Sequence, residues 1–166
     1  MAPTLPASLL DDDHAAFIQG SVSIVAASCD AGNVPSIGRI SGCRVAANGR
    51  RVTIFLASGQ APRLLSDLRA CGRIAVVFSR PSTNRSFQLK ADDAVVRPLA
   101  ADEHAVVDRY VEAFGIEIGA LGHMEEAART LMSTPDDGMV AVDFTPNAAF
   151  EQTPGPNAGK PIALGR

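Results

Sequence analysis

The stretch that decides the fold runs from Val34 to Lys90 and reads VPSIGRISGCRVAANGRRVTIFLASGQAPRLLSDLRACGRIAVVFSRPSTNRSFQLK. Side chains alternate between two faces over residues 35–47, 51–57 and 85–90, a pattern typical of strands. Between the first two strands, Asn48-Gly49 predicts a type I′ hairpin, because this turn needs positive φ at both central residues. We therefore expect a core of short antiparallel strands.

One helix interrupts these strands. Pro62 is suited to a first helical turn, and an apolar stripe at residues 64, 65 and 68 ends before Gly72. Residues 74–78 then form an almost continuous apolar run, which predicts a strand covered on both sides.

The flanking sequence adds helices and two more strands. Ser8 predicts the cap of a short helix over 9–19, followed by a strand with apolar residues at 22, 24 and 26. Helical periodicity from Asp102 to Ile118 and again over 124–132 predicts a helical pair, and 139–145 a last strand. The Pro- and Gly-rich residues 152–161 predict a linker-like arm that forms neither element and is disordered unless something receives it. We expect one domain over 1–150 and a C-terminal arm over 151–166.

Composition excludes several classes of protein. The 166 residues are 46% hydrophobic and 20% charged, with no run of about 18 apolar residues, which indicates a globular protein without a membrane span. The N-terminus does not resemble a signal peptide. The three cysteines, Cys29, Cys43 and Cys71, match neither a disulfide framework nor a metal motif, which favours a reducing cytoplasm. We expect no metal site.

The net charge of −3 argues against nucleic-acid binding. Eleven of the 15 Lys and Arg residues nevertheless lie between Arg39 and Arg97. The same range contains three Asp. The middle of the chain is therefore suited to a small anion.

Polar residues at strand ends and at a helix start form the candidate site. Arg39 and Ser41 lie on one strand, residues 58–63 begin a helix, and Ser86, Gln88 and Lys90 occupy one face of another strand. A helix N-terminus and an Arg fork both bind phosphate, so together these features predict a phosphate site. Taken singly, each has a structural alternative: a solvated Arg, ordinary helix caps and the solvent face of an edge strand.

The ordered series from Pro35 to Asp93, of strand, NG hairpin, strand, helix, apolar strand and S-F-Q-L-K strand, resembles the pyridoxamine 5′-phosphate oxidase-like FMN-binding split barrels. The resemblance implies an α+β fold, mainly β, with a six-stranded antiparallel split β-barrel and flanking helices. It also implies a homodimer with FMN at the subunit interface, and an FMN-dependent oxidoreductase acting on a small molecule. Neither the substrate nor a catalytic residue is specified.

The resemblance also implies roles for particular residues. Arg39 would contact the FMN phosphate, with Gln60 and Arg63 on the phosphate side and Ser41 beside Arg39. The strand end at Phe55, Leu56 and Ala57 would run beside the flavin, and Ser86 and Gln88 would reach the ring or the ribityl chain. The authentic oxidases carry Thr-Asn and Arg-Lys pairs where this chain has Leu56-Ala57 and Arg63-Leu64, so one phosphate-binding cation is missing.

Three alternatives remain open at the level of sequence. A haem-binding or haem-degrading split barrel would use a histidine in a C-terminal extension, and residues from Phe150 onward contain none. A deazaflavin could occupy the same groove. The chain could also be a non-catalytic flavin carrier or sensor. His14, His104 and His123 have no partner at motif spacing, which favours surface or packing roles.

Overall fold

The computed structural model describes residues 9–122, 126, 130 and 138–165. Its helices are α1 (Asp12–Ile18), α2 (Pro62–Cys71) and α3 (His104–Gly119), with single 3-10 turns at Ser58–Gln60 and Ala101–Glu103. Its strands are β1 (Ser23–Cys29), β2 (Pro35–Ile40), β3 (Cys43–Val45), β4 (Val52–Ala57), β5 (Ile74–Ser79), β6 (Ser86–Ala91), β7 (Val95–Pro98), β8 (Met139–Phe144), β9 (Ala148–Glu151) and β10 (Pro161–Ile162). Within the described ranges no helix has the length and apolarity to cross a membrane.

The strands form two antiparallel sheets. The six-stranded sheet has the order β10-β9-β6-β5-β1-β2, and the four-stranded sheet has the order β3-β4-β8-β7. The chain passes between the sheets at Gly42, whose φ of +144° favours glycine. There the Ser41 amide donates to the Phe55 carbonyl at 2.7 Å, and the Phe55 amide donates to the Gly42 carbonyl at 3.1 Å. The predicted α+β class with antiparallel strands is confirmed.

The described residues contain ten strands where six were predicted. One predicted strand divides at Gly42 into β2 and β3, and β7, β9 and β10 are additional. These extra strands are two to four residues long, too short for their alternation to stand out in the sequence.

The core lies between the two sheets. Ile24, Phe78 and Leu89 from the six-stranded sheet and Ile54 and Phe144 from the four-stranded sheet are completely buried. A second, smaller cluster of Phe55, Ala57, Met139 and Ala141 lies on the other side of the four-stranded sheet, against Val106 and Val107 of α3. All six residues of β4 are therefore buried.

Several local predictions are refined. α2 and its end at Gly72, which has a φ of 66°, are confirmed. α1 is capped by Asp11, whose side chain accepts from the His14 amide at 2.8 Å, and the predicted cap Ser8 is outside the described residues. Asp102 bonds Arg44 at 2.9 Å instead of capping α3, which begins two residues later. The helix predicted over 124–132 falls largely outside the described residues.

The hairpin at Asn48-Gly49 reverses the chain between β3 and β4, but its turn is not type I′. Gly49 has a φ of 64°, whereas the φ of Asn48 is not positive. The Ala46 amide donates to the Arg51 carbonyl at 2.8 Å, so four residues form the loop instead of two. The longer loop requires the left-handed conformation only at glycine.

Residues 152–160 of the C-terminal arm form neither a helix nor a strand, as predicted, but the prediction fails at the end of the arm, where β10 begins at Pro161. Pro161 and Ile162 of β10 pair with Phe150 and Ala149 of β9, and the Gly165 amide donates to the Leu9 carbonyl at 3.0 Å. Ile162 and Leu164 pack against the core. Composition suggested an arm, but the free edge of β9 gives the segment a backbone partner.

Candidate functional site

The outer face of the six-stranded sheet, the side opposite the core, is defined by the pairing register. Val25 of β1 lies opposite both Arg39 of β2 and Val77 of β5. Val77 lies opposite Gln88 of β6, which in turn lies opposite Phe150 of β9. Because directly paired residues point to the same side of a sheet, these five side chains form one row across this outer face.

Polar and apolar rows flank this central row. On one side, Ser23, Ser79 and Ser86 are in register. On the other side lie Ile37, Ala27, Ala75 and Lys90, in the same pairing order. Ile37 is 69% exposed, and Val25, Ala27, Ala75 and Val77 are half-buried. The outer face is thus a partly exposed apolar surface with polar groups at its margins.

Arg39 lies at one margin of the outer face. It is exposed, and its strand β2 is the edge of the six-stranded sheet. Its guanidinium is close enough to Tyr110 of α3 to influence the phenol, whose pKa is raised by burial and lowered in part by the Arg39 charge. Tyr110 donates to the Val22 carbonyl at 2.8 Å and so holds α3 beside the start of β1.

Ser86 and Gln88 lie towards the other margin. The hydroxyl oxygens of Ser86 and Ser79 are 2.7 Å apart, and Gln88 Oε1 accepts from Gln152 Nε2 at 3.4 Å. Arg39 and Gln88 are separated by three strand spacings, about 14 Å. A ligand contacting both must therefore be elongated and must pass over the valines at the centre of the row.

The helix-start residues lie apart from this row. Gln60 and Arg63 are exposed near the start of α2, whose cap residue Ala61 offers no side-chain bond to the first amides. Arg63 Nη2 lies 3.5 Å from an oxygen of Asp30, and the two side chains are 60% and 39% exposed. An anion at this helix start would compete with Asp30 for Arg63.

The remaining predicted residues are inside the protein. Phe55 and Leu56 are completely buried, Ala57 is 5% exposed and Ser41 is 6% exposed. Leu56 packs in the main core, whereas Phe55 and Ala57 pack in the smaller cluster on the other side of the sheet. In the single chain these side chains pack in the interior and stabilise the fold.

The structure thus brings three of the nine predicted residues, Arg39, Ser86 and Gln88, onto one face. Val25, Val77 and Phe150 of the same row were not singled out from the sequence. Period-two alternation shows that Val25 and Val77 point away from the core, but not that they are neighbours, because register depends on pairing across the sheet.

Asp11, Asp13 and His14 form the group of potential metal ligands found in the described part of the chain, with ligand atoms within 4.8 Å of one another. Each already has a protein partner. His14 Nδ1 lies 2.8 Å from Asp11 Oδ1, its ring is 4.5 Å from that of Phe87, and Asp13 forms an ion pair with Arg85. These contacts attach α1 to β6.

Comparison with solved structures agrees with this architecture. HupZ from Group A Streptococcus superposes with a TM-score of 0.54 at 17% identity, over 90% of this chain and 100% of that chain. The chain has the split-barrel fold. A pyridoxamine 5′-phosphate oxidase candidate from Lactobacillus delbrueckii gives a TM-score of 0.51 at 13% identity, over 90% of this chain and 97% of its own.

An F420 reductase gives a TM-score of 0.50 at 13% identity, over 80% of this chain and 92% of its own. No protein-family model and no curated protein sequence matches the chain. At these identities the comparisons show the fold alone.

Proposed function

We propose that this protein is an FMN-binding oxidoreductase that acts on a small molecule. The observation that carries the proposal is the central row of the outer face, in which an exposed arginine and a glutamine amide bracket two half-buried valines. FMN has a matching distribution of groups, with an anionic phosphate at one end and a flat apolar ring with polar edges at the other.

Four residues of the row, and Ser86 beside it, have a defined task in this proposal. The planar guanidinium of Arg39 binds phosphate oxygens, and Val25 and Val77 contact the flat ring. Gln88 and Ser86 hydrogen-bond polar atoms of the ring edge or the ribityl chain. When bound, FMN supplies the hydride chemistry, and these residues bind it, orient it and exclude water.

The proposal includes a homodimer with the cofactor between the subunits. Residues 74–78 have the composition of a strand covered on both sides, yet Ala75 and Val77 of β5 are only partly buried in the single chain. A second copy placed over the outer face would bury these residues together with Ile37, and it would enclose a cofactor lying there.

Absorption spectroscopy of the purified protein tests this function. Bound flavin is expected to give maxima at about 375 and 450 nm, and haem a single strong band near about 400 nm. A protein that is colourless and takes up no added FMN would refute the proposal. Because an F420 reductase is among the structural neighbours, the same titration should be repeated with a deazaflavin.

Substitution of Arg39 provides the sharper test. Arg39→Ala is expected to weaken FMN binding by about 1.5 to 3 kcal/mol, the scale of a hydrogen bond to a charged group, measured by fluorescence titration. Arg69→Ala removes another exposed arginine, at the far end of α2, and is expected to leave the affinity unchanged. Equal affinities of the two variants would remove Arg39 from the site.

A further inference from the structure

An open pocket of about 300 Å³ lies at one end of the outer face, beside the central row. Its lining includes Ala27 of β1 and Ala75 of β5, which are directly paired. Ala27 is two residues from Val25, and Ala75 is two residues from Val77, so each alanine lies about 7 Å along the strand from a valine of the row. The small methyl groups leave space above the sheet. The volume is at the lower end of the range for small-molecule sites.

Two cations and one carboxylate also line this pocket, namely Lys90, Arg73 and Asp92. In the described part of the chain neither Lys90 nor Arg73 forms a salt bridge. Asp92 is close enough to Arg73 for their charges to interact, but its carboxylate accepts a hydrogen bond from Asn147 Nδ2 at 2.6 Å. Arg73 also interacts with the Cys71 thiol, a weaker acceptor than a carboxylate. The pocket therefore has one net positive charge to offer to an anion.

The ammonium group of Lys90 is held over the outer face. Its Nζ lies 5.0 Å from the centre of the Phe150 ring, in a cation–π contact. Phe150 belongs to the central row and lies opposite Gln88, which is two residues before Lys90 on β6. The contact therefore keeps the positive charge of Lys90 next to both the pocket and the central row.

We propose that this pocket is the substrate site of the proposed oxidoreductase and that the substrate is a small carboxylic acid. The carboxylate binds Lys90 and Arg73, and the apolar part of the molecule packs on Ala27 and Ala75. One net positive charge matches a carboxylate better than a phosphate monoester, which carries nearly two negative charges at pH 7. The assignment rests on the proposed function, because the pocket adjoins the reacting atoms only if FMN occupies the central row.

The position of the pocket is compatible with a dimer that covers the outer face. Arg73 immediately precedes β5, Asp92 immediately follows β6, and Cys29 is the last residue of β1. The pocket therefore extends to the ends of these strands. A second copy that encloses the cofactor covers the side of the pocket next to the central row, and a small acid enters and leaves at the strand ends.

Titration of the FMN-loaded, full-length protein with benzoate tests the site, with the neutral benzamide as the matched ligand. The methyl resonances of isotope-labelled alanine and the flavin absorption spectrum are followed together. We expect benzoate to shift the Ala27 and Ala75 methyl resonances and the flavin spectrum with the same dissociation constant, and benzamide to bind at least about tenfold more weakly. Unshifted resonances at both alanines, or a flavin spectrum that does not respond, would overturn the proposal.

Variants of the charged residues identify what binds the carboxylate. Lys90→Met should weaken benzoate binding about tenfold, because a hydrogen bond between charged groups is lost, whereas Asp92→Asn should strengthen it, because a repulsive charge is removed. Lys160→Met removes an exposed lysine on the loop before β10 and should leave the affinity unchanged. Misfolding cannot tighten binding, so Asp92→Asn keeps the test decisive. Equal affinities of the Lys90, Asp92 and Lys160 variants would refute the site.

The outcomes also separate this proposal from the proposed function. A protein that takes up no FMN overturns both. If FMN binds and its affinity depends on Arg39, but benzoate does not shift the pocket resonances, the substrate assignment alone is wrong. Tighter binding of phenyl phosphate than of benzoate would overturn the choice of a carboxylic acid.

Discussion

At the scale of single residues, Glu103 is a carboxylate bound by two arginines. It is completely buried, and it accepts hydrogen bonds from Arg97 Nη1 and Nη2, both at 2.7 Å, and from the Ala100 amide at 2.8 Å. Arg44 also binds it. The Arg97 hydrogen bonds are the main reason that the pKa of Glu103 lies below its ordinary value.

Glu103→Gln should therefore be costly. The neutral amide leaves Arg44 and Arg97 without their buried counter-charge, and we expect a loss of about 3 kcal/mol in the free energy of unfolding, measured by urea denaturation. Asp102→Asn is the matched control, because Asp102 contacts the same Arg44 but is 73% exposed, and it should cost under about 1 kcal/mol. Similar losses in both variants would show that burial of Glu103 is not decisive.

The same residue predicts how stability depends on pH. Its pKa is lower in the folded than in the unfolded chain, so the stability it contributes is complete above its unfolded pKa of about 4.3 and is lost as the pH falls towards the folded value. Between pH 5 and pH 3 the urea midpoint of Glu103→Gln should change less than that of the unaltered protein.

At the scale of elements, the contact between α2 and β2 depends on Gly38. A Cβ at this position would lie 2.8 Å from both Ala61 Cβ and Leu64 Cδ2. The Leu64 methyl can rotate, but Ala61 Cβ is fixed to the backbone, so Gly38→Ala should push α2 outwards and cost about 1 to 3 kcal/mol in urea denaturation. Gly59→Ala, with no neighbouring atom within 4 Å of the new Cβ, should change stability by under about 0.5 kcal/mol.

The helices and strands differ in how well the sequence alone predicted them. Pro62 and Gly72 identify α2 from local chemistry alone, and alternation identifies β1, β4 and β6. The pairing of β10 with β9 could not be predicted, because it depends on a free strand edge formed by residues distant in sequence. For the same reason the sequence identified Arg39 and Gln88 as candidates but could not place them in one row.

At the scale of the whole molecule, Phe55 and Leu56 are buried because β4 is covered on both sides. Phe55 packs against α3, and Leu56 packs in the main core. The resemblance implied that the strand end at 55–57 lines a cofactor, but α3 covers one side of β4 and the main core covers the other. The outer face of the six-stranded sheet is in contrast apolar and partly exposed, and the proposed dimer is testable there.

Val77 lies at the centre of that face, between Val25 and Gln88, so Val77→Lys places a charge where the second copy would pack. We expect the unaltered protein to sediment as a dimer in analytical ultracentrifugation and Val77→Lys to sediment as a monomer, because burying an unpaired ammonium costs several kcal/mol. Val95→Lys is the matched control, since Val95 is 54% exposed on β7, the edge strand of the other sheet, and should leave the dimer intact. If both variants remain dimeric, the subunits associate through another surface, and a cofactor bound on the outer face would then be held by one chain alone.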